Sequence, residues 1–488
     1  MSGTVSSQVL RRVAGHPWRA EALFATVVLM LTAALAFAPF PTLFVLLASA
    51  AVWALARFPF AIPLVLIVLM GNVKVNYYLG FFTVFPEYLV LLVAAGMGLV
   101  AWWARPSWPP ERRALLLIMV WMFTGLLSVP FALSMSKVLA RVVLIGVSAV
   151  TFFTVVATVR SRSELRRAVS TWEIVATLYA VFGIVQMIGL VANFDTSLHF
   201  LKGIANPDIY QGVGAPIRRR IGDVFRANSM FNDPNILGGF LAAAMSAMFA
   251  LRFHHAETGR KARAASETLA LMIMAACLLL TQSRSGFIAF IAGAAVVLAH
   301  RPRLLQRPGL WLAVGITLAT MVLVAVLVGI DPTVLFTRFA GTGDTNDMSN
   351  RQHLGVFTYG LQLITRYPLF GVGLGNFGLF YGQEQDAYFV KMMTHCAPLT
   401  YFAESGIPGG LAFCAVWAHV VQRVGRAAPA SADAEGRALR VALLAAIVSL
   451  LVANIFYDYI LRTFAWVLAA LAVSVARLHD VPGPEAAV

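Results

Sequence analysis

The chain has 488 residues, of which 60% are hydrophobic and 12% charged, and its formal net charge is +15. Charge this sparse over such a length excludes a soluble globular protein and points to an integral membrane protein. A basic excess on a soluble domain would suggest nucleic acid, but the sequence contains no soluble basic domain to carry it, so no nucleic-acid partner is expected and the excess is read as membrane topology and contact with anionic membrane lipids.

The basic N-terminal stretch up to Glu21 precedes an apolar run with no convincing small-residue cleavage site, and is read as leading into a retained first span. Apolar runs then predict spans over 20–38, 42–57, 59–71, 85–104, 113–133, 137–159, 168–191, 234–252, 266–281, 285–300, 310–330, 397–422, 437–458 and 461–478. Most reach the roughly 20 residues needed to cross the hydrocarbon. The expected fold is an all-α polytopic membrane protein of about 14 transmembrane helices, or 12 if 42–71 does not fully cross, capped by two long periplasmic loops. The expected organisation is N-terminal helices over 1–191, a first long loop over 192–233, central helices over 234–330, a second long loop over 331–396 and C-terminal helices over 397–488.

Orientation follows from counting. With the N-terminus inside, inner segments hold 23 of the 37 Lys and Arg, the short outer loops and their flanks hold five, and the two long outer loops hold nine. Short loops set orientation, so both termini are expected in the cytoplasm. In the second long loop, Leu354, Phe357, Leu361 and Ile364 fall on one helical stripe, which predicts an amphipathic helix over 351–366 lying on the membrane surface or on the protein and stopped by Pro368.

Three polar segments then fall on the predicted outer face: 226–235 (RANSMFNDPN), 281–286 (TQSRSG) and 395–410 (HCAPLTYFAESGIPGG). An arginine at mid-span costs about 2.5–3.5 kcal/mol on insertion scales, so ionisable groups at such places call for a reason. Arg284 sits in a tight turn at the start of a helix, where a guanidinium fork and helix N–H groups suit phosphate oxygens. Arg226 precedes a helix that Asn232 or Asp233 caps, with Pro234 in its first turn. His395 stands where the second long loop re-enters the membrane and has the pKa range of a general base. Glu404, nine residues on, is placed to orient a partner or to pair with an arginine. The glycine-rich 371–377 follows no predicted strand and reads as a backbone turn, not a dinucleotide fingerprint. His254 and His255 are expected at the cytoplasmic surface, Asp458 and Arg462 as an ion pair at an outer helix end, and Glu173 near the inner end of its span without an evident catalytic partner. Cys277 and Cys414 read as packing residues, and no disulfide or metal site is expected.

These segments, in this order, resemble the O-antigen ligase and polymerase superfamily. Arg226, Phe231, Pro234 and Asn235 match its Arg…Phe-x-x-Pro-Asn element. Ser283, Arg284 and Gly286 match its Ser-Arg-x-Gly turn. Arg351 opens a helix that ends in the matching Pro368, Leu369, Gly371, Gly373 and Phe377. His395, Leu399, Glu404, Gly406, Pro408 and Gly409 match the last element, with Cys396 in place of the usual Asn. The resemblance covers about 225–410. It implies periplasmic, metal-independent and cofactor-free inverting transfer of a glycan from undecaprenyl diphosphate to an acceptor hydroxyl, either lipid A–core or a growing glycan chain, at the bacterial inner membrane. The implied roles are His395 as base, supported by Glu404, and Arg226, Arg284 and Arg351 as diphosphate ligands. Ligase and polymerase remain open. A flippase or exporter of a lipid-linked glycan and a non-catalytic scaffold are the competing readings; the gathering of charges at one face disfavours a path through the bilayer.

Overall fold

The computed structural model describes residues 58–69, 77–78, 83–84, 88, 90–96, 111–192, 217–221, 224–328, 333, 348–384, 394–426 and 433–480. The chain divides into two compact units, Met1–Ala61 and Ile62–Val488. The expected spans over 20–38 and 42–57 lie outside the described residues, as does most of the first long loop.

In chain order the helices are α1 (Ala61–Leu69), α2 (Arg112–Leu127), α3 (Met135–Thr158), α4 (Arg162–Val191), α5 (Pro234–Glu257), α6 (Lys261–Thr281), α7 (Arg284–His300), α8 (Pro308–Leu327), α9 (Met348–Arg366), α10 (Phe377–Glu384), α11 (Ala397–Gly425), α12 (Ala434–Phe456) and α13 (Thr463–Asp480). Among the described residues there are also two short antiparallel ribbons, β1 (Tyr77–Tyr78) with β2 (Thr83–Val84), and β3 (Ile217–Ile221) with β4 (Val224–Arg226). Among the described residues seven helices are long and apolar enough to cross a membrane: α2 with its 3-10 extension to Phe131, α3, α4, α5, α6, α8 and α12. Helices α7 and α13 are apolar but shorter.

The bundle is built around α5, which packs against α12, α6 and α7. Its sequence is rich in Ala, with a Gly pair near its start, and small side chains let helices approach closely in a membrane protein. A Cβ on Gly286 of α7 would lie 2.9 Å from the Gly238 carbonyl carbon, and one on Gly239 would meet the Tyr459 hydroxyl. At the periphery, α8 exposes Trp311, Leu312, Leu318, Leu323 and Leu327, as a lipid-facing helix does.

Helix α11 is broken. Ser405 (φ −122°, ψ 15°) and Gly406 (φ 70°, ψ −177°) leave the helical region just before Pro408. The backbone groups freed by the break are taken up by the chain after α9. Val372 N–H donates to the Ala403 carbonyl (3.1 Å), Gly373 N–H to the Glu404 carbonyl (2.8 Å), and Ile407 N–H to the Pro368 carbonyl (2.7 Å). Non-helical backbone at membrane depth is tolerated where protein satisfies it, and segment 368–373 does so here. The span expected over 397–422 falls within α11, which is kinked at Ser405 and Gly406, and the glycine-rich turn packs against that kink.

Helix α9 is present and ends before Pro368 as expected, but its docking face differs from the expected stripe. Val356, Tyr359 and Leu363 are buried with Val372, Phe377 and Ala403, and Arg366 pairs with Glu384 of α10 at 2.9 Å. Leu354, Phe357 and Leu361 point outward, while Ile364 packs at the edge of the cluster.

The end of the bundle away from α11's first residues is rimmed by arginine pairs: Arg301 and Arg307 with Glu257, Arg166 with Glu435, and Arg162 with Asp433. His254 and His255, expected at the surface, are buried; His255 Nδ1 lies 2.9 Å from Glu267, and Arg263 bridges Glu267 to Glu173, both at 2.8 Å. The carboxylates recruited arginine and histidine from neighbouring helices, which a single-helix reading does not show.

Candidate functional site

The start of α5 fixes the first part of the site. Asp233 is its N-cap, accepting from Asn235 N–H at 2.8 Å, and Pro234 occupies the first helical position, where its missing N–H costs nothing. Strand β4 brings Arg226 alongside. Its Nε donates to the Thr281 carbonyl at the end of α6 (2.7 Å) and its Nη2 to Asn235 Oδ1 at the start of α5 (2.8 Å). Arg226 is only 3% exposed. One guanidinium therefore ties together the strand, the end of α6 and the start of α5, with Ala227 N–H donating to the Leu280 carbonyl beside it.

The turn between α6 and α7 presents Arg284. Gln282 adopts a left-handed φ of 50°, and Ser283 caps α7 by accepting from Gly286 N–H at 3.2 Å. Arg284 is the first residue of α7, half-buried, at a helix N-terminus whose N–H groups and dipole favour an anion. The Ser283 side chain lies against Gly238 of α5, so the starts of α5 and α7 are held side by side.

His395 enters from the other direction. It takes a left-handed φ of 54° immediately before α11. Its ring lies 4.6 Å from that of His353 on α9 and 5.2 Å from that of Tyr457, measured between centroids. Tyr457 follows α12, and its hydroxyl donates to Asp233 Oδ2 at 2.9 Å. A continuous set of contacts thus runs from His353 and His395 through Tyr457 and Asp233 to Asn235 and Arg226. Arg351 stands in the first turn of α9, two residues before His353.

Glu404 lies below His395 on α11 and is 2% exposed. Its two carboxylate oxygens accept from Gly375 N–H (2.7 Å) and Phe377 N–H (3.2 Å). Both oxygens are spent on the glycine-rich segment, so Glu404 holds that wedge in place. Asp458, expected to pair with Arg462, has its Oδ2 3.8 Å from Arg141 Nη2 of α3, with Arg462 also acting on it electrostatically. Cys396 is buried, and burial pushes its thiol above the ordinary value, which disfavours the thiolate. The Thr394 hydroxyl accepts from Cys396 N–H at 3.2 Å, and the Thr400 hydroxyl donates to the Cys396 carbonyl at 3.0 Å. A backbone held this way needs nothing from the side chain at 396.

Four non-glycine residues among those described have positive φ, and three of them, Ser229, Gln282 and His395, fall one in each of the three polar segments; the fourth is Glu111. Such conformations cost of order 1–3 kcal/mol each and persist where the surrounding structure fixes them, commonly at functional sites. Sequence reasoning missed Tyr457, Asp233's second oxygen and His353. The only available signal for His353 was its place two residues after Arg351; Tyr457 carried none, because its partner Asp233 is 224 positions away.

No curated protein matches the chain. Residues 269–414, which include Arg284, α9, the glycine-rich wedge, His395 and Glu404 but not Arg226, match the family model described as O-Antigen ligase, and this match supports the superfamily to which the motifs point.

Proposed function

We propose that the protein is a membrane glycosyltransferase that moves a glycan from undecaprenyl diphosphate to an acceptor hydroxyl on the periplasmic face of the inner membrane, without a metal and with inversion at the anomeric carbon. The observation that carries this reading is a chain of contacts at one end of the bundle: His395 touches Tyr457, Tyr457 bonds the Asp233 cap of α5, and the start of α5 lies against Ser283, the residue before Arg284.

In this mechanism His395 accepts the proton of the acceptor hydroxyl as its oxygen attacks the anomeric carbon. The bond from that carbon to the diphosphate oxygen breaks, and the leaving group departs as undecaprenyl diphosphate. Its developing charge is held by Arg284 at the start of α7, together with Arg351, and Arg226 adds positive charge while bracing the adjoining helix ends. Tyr457 and Asp233 orient His395, and Glu404 holds the wedge against α11. Attack opposite the leaving group inverts the centre. The lipid tail lies among the spans, which explains why the arginine-bearing turn sits at the end of a membrane bundle.

The test is transfer by purified full-length protein from a lipid-linked donor. His395→Ala is expected to lower the rate by about 10²–10⁴-fold, the usual worth of a positioned general base, in protein that remains folded by thermal unfolding. A variant that transfers at the wild-type rate rules out His395 as the base.

A further inference from the structure

The bundle has a second concentration of positive charge, at the end opposite His395. There the start of α2 and the last turns of α11 enclose an open cavity of about 430 Å³, lined by Glu111, Arg112, Arg113, His419, Arg423 and Arg426 among others. Among the described residues Glu111 is its one acidic group, and its carboxylate is already engaged. Arg423 donates to it from Nη2 at 2.9 Å and from Nε at 3.3 Å, and His419 Nε2 lies 3.3 Å away.

Arg112, Arg113 and Arg426 are exposed around this pair, and among the described residues none forms an ion pair with a carboxylate. Two of them occupy the first turn of α2, which holds no acidic residue, and Glu111, turned toward α11, makes no side-chain cap. Arginines and the positive end of a helix dipole are of one sign, so this arrangement is self-repelling unless an anion sits among them. Below Arg112, on the same face of α2, come Leu116, Met119 and Phe123, spaced four, three and four residues apart and all exposed, with Val120 below Arg113. A charged pocket thus opens directly onto an apolar stripe along one helix.

We infer that this cavity binds a phosphate oxyanion presented by an anionic phospholipid headgroup, whose acyl chains run along the Leu116–Met119–Phe123 face. The shared chemistry is phosphate against arginine; the apolar stripe is what selects a lipid over a soluble phosphate. The site lies at the other end of the bundle from the proposed chemistry and stands independently of it.

The experiment titrates phosphatidylglycerol, phosphatidylcholine or inorganic phosphate into full-length protein in dodecyl maltoside, reading bound lipid by native mass spectrometry and the thermal unfolding midpoint. Phosphatidylglycerol is expected to bind and raise the midpoint, while phosphatidylcholine and inorganic phosphate do neither. In Arg112→Gln/Arg113→Gln/Arg426→Gln the affinity for phosphatidylglycerol is expected to fall by roughly two orders of magnitude, at about fivefold per charge removed. Gln422→Glu, which keeps every arginine and places a carboxylate on the exposed wall of the cavity, is expected to weaken binding about fivefold. Should the triple variant fail to fold, Gln422→Glu decides alone. Equal phosphatidylglycerol binding by wild type and variants overturns the site, equal binding of phosphatidylcholine overturns its charge selectivity, and stabilisation by inorganic phosphate matching that of the lipid overturns the lipid source.

Discussion

At the residue scale, the position of the imidazole at 395 depends on groups far away in sequence. The ring rests between His353 and Tyr457, and the Tyr457 hydroxyl is anchored on Asp233, which also caps α5. A hydrogen bond to a carboxylate contributes about 1.5–3 kcal/mol. Tyr457→Phe keeps the ring contact and removes that anchor, so transfer is expected to slow by about tenfold, one step of roughly 1.4 kcal/mol, with the donor KM little changed. Steady-state kinetics on the purified variant checks this; an unchanged kcat would show that Tyr457 does not position His395. Arg226, Arg284 and His395 stand out in the sequence because ionisable side chains beside apolar runs are costly. The bracing of Arg226 between α5 and α6 does not, because hydrogen bonds to backbone carbonyls leave no mark on composition.

At the scale of elements, the break in α11 is the feature that local patterning concealed. The stretch over 397–422 is apolar enough to read as one span, and Pro408 alone suggests only a kink. What breaks it is Gly406, in a region of φ and ψ open essentially to glycine alone, where a Cβ would lie 2.4 Å from the Leu369 carbonyl oxygen. Gly406→Ala is expected to cost at least about 1–3 kcal/mol from backbone strain, more with the clash, and to release the 368–377 wedge. Glu404→Gln leaves the backbone alone but turns an amide N–H₂ toward one of two N–H donors, with an expected loss of about 1.5–3 kcal/mol. Both effects are readable as a lower unfolding midpoint and faster proteolysis within 368–377; a variant indistinguishable from wild type in both would show that the wedge is not held by these contacts. A cap at Asn232 or Asp233 and the stop at Pro368 were readable from sequence, since each is decided within a few residues; the choice of Asp233 and the cap at Ser283 came from the structure. The face on which α9 docks was not readable, because both of its faces carry apolar residues and the choice is made by Val372, Phe377 and Ala403.

At the scale of the whole molecule, the two ends of the bundle differ in how charge is managed. One end carries the three polar segments; the other is closed by arginine and carboxylate pairs between helices. Glu111 is the measurable member of the second group. Burial pushes its carboxyl up, but hydrogen bonds from His419 and Arg423, with their charges, outweigh this and hold it below its ordinary 4.5. A lowered carboxyl pKa means that the folded state binds fewer protons than the unfolded one. The stabilisation is therefore present above the ordinary carboxylate range and is lost as pH falls through the lowered folded value. Glu111→Gln is expected to unfold at a lower temperature than wild type at pH 7, with the gap closing as pH drops below 4.5; a gap independent of pH would show that the charge of Glu111 contributes nothing. The membrane class of the chain and the helical nature of its spans were evident from composition, because bilayer thickness alone sets that pattern. The cluster of Glu173, Arg263, Glu267 and His255 was not, since it forms only where three helices, α4, α5 and α6, come together.

The central claim is that His395 and Arg284 serve one transfer reaction on a lipid-linked glycan. It is tested most directly in a strain lacking the protein, complemented with wild type, His395→Ala or Arg284→Ala at equal membrane abundance. Surface glycan would be displayed on a gel and lipid-linked intermediates extracted alongside. The account predicts that both variants fail to restore the glycan while undecaprenyl-diphosphate-linked donor accumulates, as single repeats for a polymerase or as long chains for a ligase. Normal glycan from both variants, with no accumulated donor, would contradict it.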